Sequence, residues 1–138
     1  MKKTFNLLLT SPNKVCINKE VMQVTFCTDN GYITILPNHA KIIGCLSPGI
    51  VIVKYPTGEK QELLQNYGSF YFENNNLSII SDYANFLNNP NNLAELNIIQ
   101  KIIDTQSNKE SYPKEIRSIL NTITQKIIKS IKNKNASK

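Results

Sequence analysis

The hydrophobic period of this chain changes near Asn88-Asn89-Pro90. Before that point apolar residues recur with the period of strands; after it they recur with the period of helices. The helical part follows the strands and does not interleave with them, which argues two units in series. In the first part, from Thr4 to Asp82, short β-branched and apolar runs are separated by turn signals at a spacing of roughly eight to twelve residues. Phe5-Asn6-Leu7-Leu8-Leu9 opens the series, followed by Val15–Ile17 and Val21–Phe26. Asp29-Asn30-Gly31 is a turn built from residues that tolerate positive φ. Strand Ile33–Leu36 should stop at Pro37, which has no backbone donor. After an apolar run, Ser47-Pro48-Gly49 reads as a type II turn with Gly49 at positive φ. The continuous run Ile50–Val53 predicts a strand covered on both faces. Lys60–Leu64, Tyr67–Phe72 and Leu77–Ile80 complete the set, with Pro56-Thr57-Gly58 and Asn74-Asn75-Asn76 as turns. This spacing predicts a β-sandwich or barrel.

Asn89 and Pro90 carry the residue types of a helix start. Leu93, Leu96, Ile99, Ile102 and Ile103 make a first helical stripe, which the polar stretch Ser107–Ser111 ends. Ser111 and Pro113 then suit the cap and first turn of a second helix. Its stripe is Ile116, Ile119, Leu120, Ile123, Ile127, Ile128 and Ile131. Two amphipathic helices joined by a short loop predict an antiparallel hairpin. The expected fold is thus a β-sandwich domain over residues 1–87 followed by an α-helical antiparallel hairpin over residues 88–138. Each buried Ile or Leu contributes roughly 1.5–3 kcal/mol, while ordering the backbone costs about 1–2 kcal/mol per residue. An isolated hairpin of this size is marginal, so it needs the sandwich or a partner to lie against.

The net charge of +6 is unevenly placed: residues 1–108 carry eight Lys and eight acids, and the whole excess lies in residues 109–138. A solvated helix face, an acidic protein partner, an anionic lipid surface and nucleic acid all fit a basic helix. Tyr112 is the only aromatic residue after position 88, so base stacking is poorly served. Catalytic patterns are missing. His39, the single histidine, has no nucleophile or orienting group at a recognisable spacing. The acids are scattered singly, and Gly44, Gly49 and Gly58 follow no phosphate-loop pattern. Cys16, Cys27 and Cys45 form an odd set without paired spacing, read as reduced strand residues. We therefore expect no enzyme, cofactor or metal site. The start MKKTFNLLLTSP has no signal-like apolar core, and no stretch reaches the length of a membrane span. This predicts a soluble or peripherally bound intracellular protein.

The order Gly31-Tyr-Ile-Thr-Ile-Leu-Pro-Asn-His-Ala40, then Leu46-Ser-Pro-Gly-Ile-Val-Ile-Val53, resembles the amino-terminal domain of the epsilon subunits of F-type ATP synthases. Gly68-Ser69-Phe70, Asn76–Ala84 with its Asp82-Tyr83-Ala84, and the opening Phe5–Pro12 are similar to the same family. The resemblance implies a non-catalytic rotor subunit of the central stalk. Its sandwich would link the gamma subunit to the c-ring, coupling proton flow to ATP synthesis. Its carboxyl-terminal helices would restrain ATP hydrolysis through the alpha/beta catalytic head. The implied location is peripheral, on the cytoplasmic side of the cell membrane.

On that reading Gly31, Tyr32, Asn38 and His39 are the expected edge toward the c-ring and gamma. Lys114, Arg117, Lys126 and Lys129 are the expected contacts of the regulatory helix. The chain departs from the family in three places. Tyr32 stands where many relatives carry an acid. Lys41 and Asn38 replace a frequent Pro and a frequent Gly. The stretch Asn89-Pro90-Asn91-Asn92-Leu93-Ala94 lacks the Asp and Arg of the Ile-Asp-x-x-Arg-Ala motif by which some relatives bind ATP, so direct ATP sensing is not expected. The alternative reading is a small β-sandwich binding module whose basic helical tail takes nucleic acid.

Overall fold

The computed structural model describes residues 1–12, 14–87, 93–104 and 112–136. The expected helix starts at Asn89-Pro90 and Ser111, the polar break between the helices, and most of the stretch aligned with the ATP-binding motif lie outside these residues. Ten strands are present among the described residues: β1 Phe5–Ser11, β2 Lys14–Val21, β3 Gln23–Thr28, β4 Gly31–Ile35, β5 Ile42–Leu46, β6 Gly49–Lys54, β7 Lys60–Gln65, β8 Gly68–Glu73, β9 Asn76–Ser81 and β10 Ala84–Phe86. Two helices follow, α1 Leu93–Asp104 and α2 Lys114–Ala136. The chain divides into two compact units, Met1–Thr105 and Gln106–Lys138.

In the first unit the strands form one sheet in the order β10-β7-β6-β3-β5-β8-β9-β1-β2, with β4 on β3. All pairs are antiparallel except β1 with β9. The sheet rolls over until its two ends meet: Lys14 Nζ on β2 donates to Asn85 Oδ1 on β10 at 3.1 Å, and Cys16 Sγ to Ala84 O at 3.6 Å. Strand alternation fills the space inside. Phe5, Leu7 and Leu9 of β1 point inward with Leu77 and Ile79 of β9. Edge-on ring pairs Phe5–Phe72 and Phe26–Phe70, at 5.6 and 4.9 Å between centroids, tie the inner face together.

β6 is buried from Gly49 to Val53, as its unbroken apolar run predicts. Val51 and Val53 join the inner core, whereas Ile50, Ile52 and Leu64 of β7 are buried outside it. Helix α1 packs on β6 and β7. Its buried positions are Glu95, Ile98, Ile99 and Ile102. That face is rotated from the predicted stripe: Leu96 and Ile103 are only half-buried, and an acid takes a place on the covered side.

Other local expectations change too. The run Val21–Phe26 is broken at Met22, whose N–H bonds Lys54 O at 2.8 Å, so it supplies the end of β2 and the start of β3. The apolar run after Lys41 is strand β5, and Ala84–Phe86 adds β10. The Asn-Asn turn between β8 and β9 has positive φ at both Asn74 and Asn75, which suits the twist of a tight hairpin.

Gly49 does not hold positive φ and is not a turn glycine. It lies in β6 where a Cβ would sit 2.5 Å from Cys27 Cβ and 2.8 Å from Tyr32 Oη. Close approach of β6 to the β3–β4 hairpin, not turn geometry, requires glycine there.

In the second unit, α2 starts with Arg117 N–H on Pro113 O at 3.1 Å. Thr122 and Thr124 hydroxyls bond back to Ser118 O and Leu120 O. Ile116, Leu120 and Ile123 form its buried face.

The Gly49 contact gives a direct test. Gly49→Ala should lower stability by about 1–3 kcal/mol, since one obstructing atom is a Cβ fixed to a neighbouring strand. Urea unfolding of the substituted and parent chains measures it.

Candidate functional site

The four sandwich residues expected at one edge fall at the two opposite ends of β4. Gly31 holds φ 109° in the β3–β4 turn, which Thr28 Oγ1 locks by donating to Gly31 O at 2.8 Å and accepting Asn30 N–H at 3.1 Å. Tyr32 does not project from this end. Its ring is half-buried and its hydroxyl accepts Ile50 N–H at 3.0 Å.

Asn38 and His39 lie past the other end of β4. At about 3.3 Å per residue, the strand from Tyr32 to Ile35 sets the two pairs roughly 10 Å apart. Asn38 has φ 68°, a conformation that Asn adopts more readily than most residues. Its N–H donates to Asn75 Oδ1 at 2.6 Å and its Nδ2 to Lys2 O at 2.8 Å, which fastens the loop to the β8–β9 turn and to the chain start. His39 is exposed, packs edge-on to Phe72 of β8 at 5.9 Å, and donates from Nδ1 to Ala40 O at 2.6 Å. These contacts fix the loop; they do not arrange a proton-transfer pair.

The sheet carries a larger feature that the motif reading passed over. Its outer face over β5, β8, β9, β1 and β2 has two side-chain rows. One runs Ile43, Tyr71, Ser78, Leu8; the next runs Cys45, Ser69, Ile80, Thr10, Val15. Ile43, Ile80 and Val15 are 72%, 57% and 62% exposed. Lys41 borders the rows, 3.8 Å from the Glu73 carboxyl and 5.9 Å from the Tyr71 ring centre. Tyr71 donates its hydroxyl to Glu73, and that bond raises the phenol pKa. The signal was present in the sequence. Adjacent apolar pairs Leu7-Leu8, Ile42-Ile43 and Ile79-Ile80 place one residue on each face of a strand, so the outer face must be apolar as well.

On α2, Lys114, Arg117, Lys126 and Lys129 are all exposed. At about 100° per residue they fan over the side opposite Ile116, Leu120 and Ile123. Among the described residues no group of three or more His, Cys, Asp or Glu side chains could hold a metal ion. What the geometry offers is surface for binding: an exposed sheet face with apolar residues among small hydroxyl ones, a fastened loop at its margin, a turn at the far end, and separately a basic helix face.

Residues 4–86 match the family described as ATP synthase, Delta/Epsilon chain, beta-sandwich domain. The chain is 27% identical to an ATP synthase epsilon chain of Nitratiruptor over 94% of its own length and 97% of the relative's. It is 32% identical to a chloroplastic ATP synthase epsilon chain of Anthoceros angustus, over 59% of its own length and 58% of that chain's. In structure it is similar, at a TM-score of 0.63 and 18% identity, to a chain in the Euglena gracilis mitochondrial ATP synthase, covering 88% of this chain and 75% of that one. At that identity the likeness speaks for the fold.

The thiols offer a probe of the outer face. Cys45 lies exposed in its second row, whereas burial pushes the Cys27 thiol up to about 11. At pH 8 a thiol with that pKa is ionised in roughly one molecule in a thousand. A thiol reagent should therefore modify Cys45 at least ~100-fold faster than Cys27 in the native chain. Timed labelling with mass analysis should show the gap closing on denaturation.

Proposed function

We propose, because this chain belongs to the epsilon-chain family of ATP synthases, that it works as a non-catalytic subunit of the enzyme's central stalk. In this role it joins the gamma subunit to the c-ring and helps carry rotation between proton flow and ATP synthesis. The observation that carries the reading is the uncovered apolar sheet face. Ile43, Tyr71, Ile80 and Val15 are held on paired strands, and an exposed apolar patch of this kind suits a lasting protein contact. We assign this face to gamma.

His39 and Asn38 go with it, since they lean on Phe72 and Asn75 at the margin of the same strands. Gly31 and the β3–β4 turn lie at the far end and are assigned to the c-ring. With the Tyr32 hydroxyl turned back onto β6, that contact is made by the turn backbone and its neighbours. Such a subunit sits peripherally on the cytoplasmic side of the membrane through its partners. No described helix is long and apolar enough to cross a bilayer.

The basic face of α2, with Lys114, Arg117, Lys126 and Lys129, is assigned to acidic residues of the alpha/beta catalytic head, where it restrains ATP hydrolysis. The working division is a rotor-binding part, residues 1–87, and a helical part, residues 88–138. A cut at that boundary would also strip α1 from β6 and β7 and uncover Ile50, Ile52 and Leu64. The informative cut is therefore the one that removes residues 106–138 alone.

Calorimetry and co-elution with the cognate gamma subunit test the central assignment. A one-to-one complex is expected, and it should shield Cys45 from thiol reagents. Ile43→Asp or Ile80→Asp should weaken binding at least tenfold, about 1.4 kcal/mol, with the melting temperature of the free chain unchanged. No complex between two folded proteins would overturn the reading. In the assembled enzyme, removal of residues 106–138 should raise ATP hydrolysis while gamma binding persists; unchanged hydrolysis would remove the regulatory role alone.

A further inference from the structure

Helix α1 meets the sheet through more than its isoleucines. Glu95, in its first turn, is 5% exposed. Its Oε1 accepts the Tyr83 hydroxyl at 2.7 Å and Asn85 Nδ2 at 3.2 Å. Asn85 is in turn held from its other side. Its Oδ1 accepts Lys14 Nζ at 3.1 Å and the Phe86 N–H at 3.0 Å. Turning the amide over would set its NH2 against two donors and its oxygen against Glu95. Lys14 and Phe86 thus decide which way the amide faces, and Glu95 receives the donor end.

Lys14, Tyr83, Asn85, Phe86 and Glu95 come from the start of β2, the stretch through β10 and the start of α1. They stand where the two ends of the rolled sheet meet.

We propose that Lys14–Asn85–Glu95 is a polar clasp that couples closure of the sheet to the docking of α1, with Asn85 as its switchable middle. An apolar helix face can slide along an apolar sheet at little cost; a buried carboxyl with two fixed donors cannot. The clasp therefore sets the register and resting position of α1. At the other end of the helix, Lys101 lies over the Tyr67 ring at 5.4 Å, an exposed contact that contributes less.

The clasp also reaches the outer face. Lys14 is next to Val15, which ends the second apolar row. A partner that presses on Val15 moves Lys14, and a displaced Lys14 leaves the Asn85 amide oriented by the Phe86 N–H alone, and so more weakly held toward Glu95. Occupancy of the sheet face is then felt at a helix on another part of the domain. This last step rests on the assignment of that face to a partner; the clasp does not.

Hydrogen exchange of the full-length free chain tests the clasp. Glu95→Ala and Asn85→Ala should speed exchange of the amides in residues 96–104 at least tenfold, while those of β6 and β9 keep their protection. Glu95→Gln should stay within about threefold of the parent, because an amide oxygen accepts both bonds. Lys14→Ala is the decisive variant. It alters an exposed side chain on β2 and cannot empty the core. It should still speed α1 exchange at least threefold. Unchanged α1 exchange in Lys14→Ala would overturn the coupling whatever the buried variants do. Unchanged exchange in Glu95→Ala would overturn the clasp itself. If Glu95→Ala fails to fold, Tyr83→Phe removes one donor and reads the same contact. Failure of gamma binding would leave all of these results untouched, so the two proposals fall separately.

Discussion

Everything in the first unit depends on one closure. A sheet of ten strands is too long to stay open with both faces exposed, and here it rolls until β2 and β10 meet around a single core. Rolling gives each strand an inner face, which the alternating Phe, Leu and Ile residues fill. It also leaves an outer face to be dealt with, and the two halves of the sheet solve that differently. Over β6 and β7 the outer residues Ile50, Ile52 and Leu64 lie beneath helix α1. Over β5, β8, β9, β1 and β2 the outer residues Ile43, Ile80 and Val15 face solvent. One half is covered from within the chain, and the other is open to solvent.

The seam where the sheet closes is correspondingly polar. Strand ends that meet side by side bring backbone groups out of ladder pairing, and those groups must find other partners. Ala84 O takes the Cys16 thiol. Beside it, Asn66 N–H donates to Tyr83 O. Asn85 and Glu95 belong to the same class of solution, extended by one step so that the seam also carries the first turn of α1. Glu95 gains further from its place near the positive end of the helix dipole.

The architecture was legible because the hydrophobic period is a direct consequence of side-chain direction, and it changes cleanly from two to helical near Asn88. Details that depend on neighbours were not. Met22 is apolar, so nothing in Val21–Phe26 marks the corner that Met22 makes. Gly49 looked like a turn residue beside Pro48, yet its smallness serves a contact with Cys27 and Tyr32 that only the fold creates. Ala84–Phe86 is three residues long, too short for period to register. A stripe drawn from apolar residues alone has no place for Glu95, which is buried, so the stripe came out rotated. The family-like loop residues were found, but a linear motif cannot say that Gly31 and His39 lie at opposite ends of a strand. The apolar outer face was written in the paired leucines and isoleucines all along; expecting strict alternation concealed it.

The placement of these features has a consequence for how such a subunit transmits force. In the rotor role proposed above a torque-bearing contact must be stiff, and a sheet face on paired strands, backed by an edge-packed Phe core, is stiffer than a loop. The loop at Asn38 and His39 is drawn into that body by bonds to Asn75 and Lys2, so it moves with the sheet and not separately from it. The β3–β4 turn is locked through Thr28 in the same manner. Helix α1 is joined to this body by both apolar burial and a polar clasp, whereas α2 forms a unit of its own. A rotor contact and a regulatory element ask for opposite mechanical properties, rigidity in one and reversible attachment in the other. Under the assignments proposed above, this chain would separate them along its length, with Glu95 holding α1 on the side of the sheet.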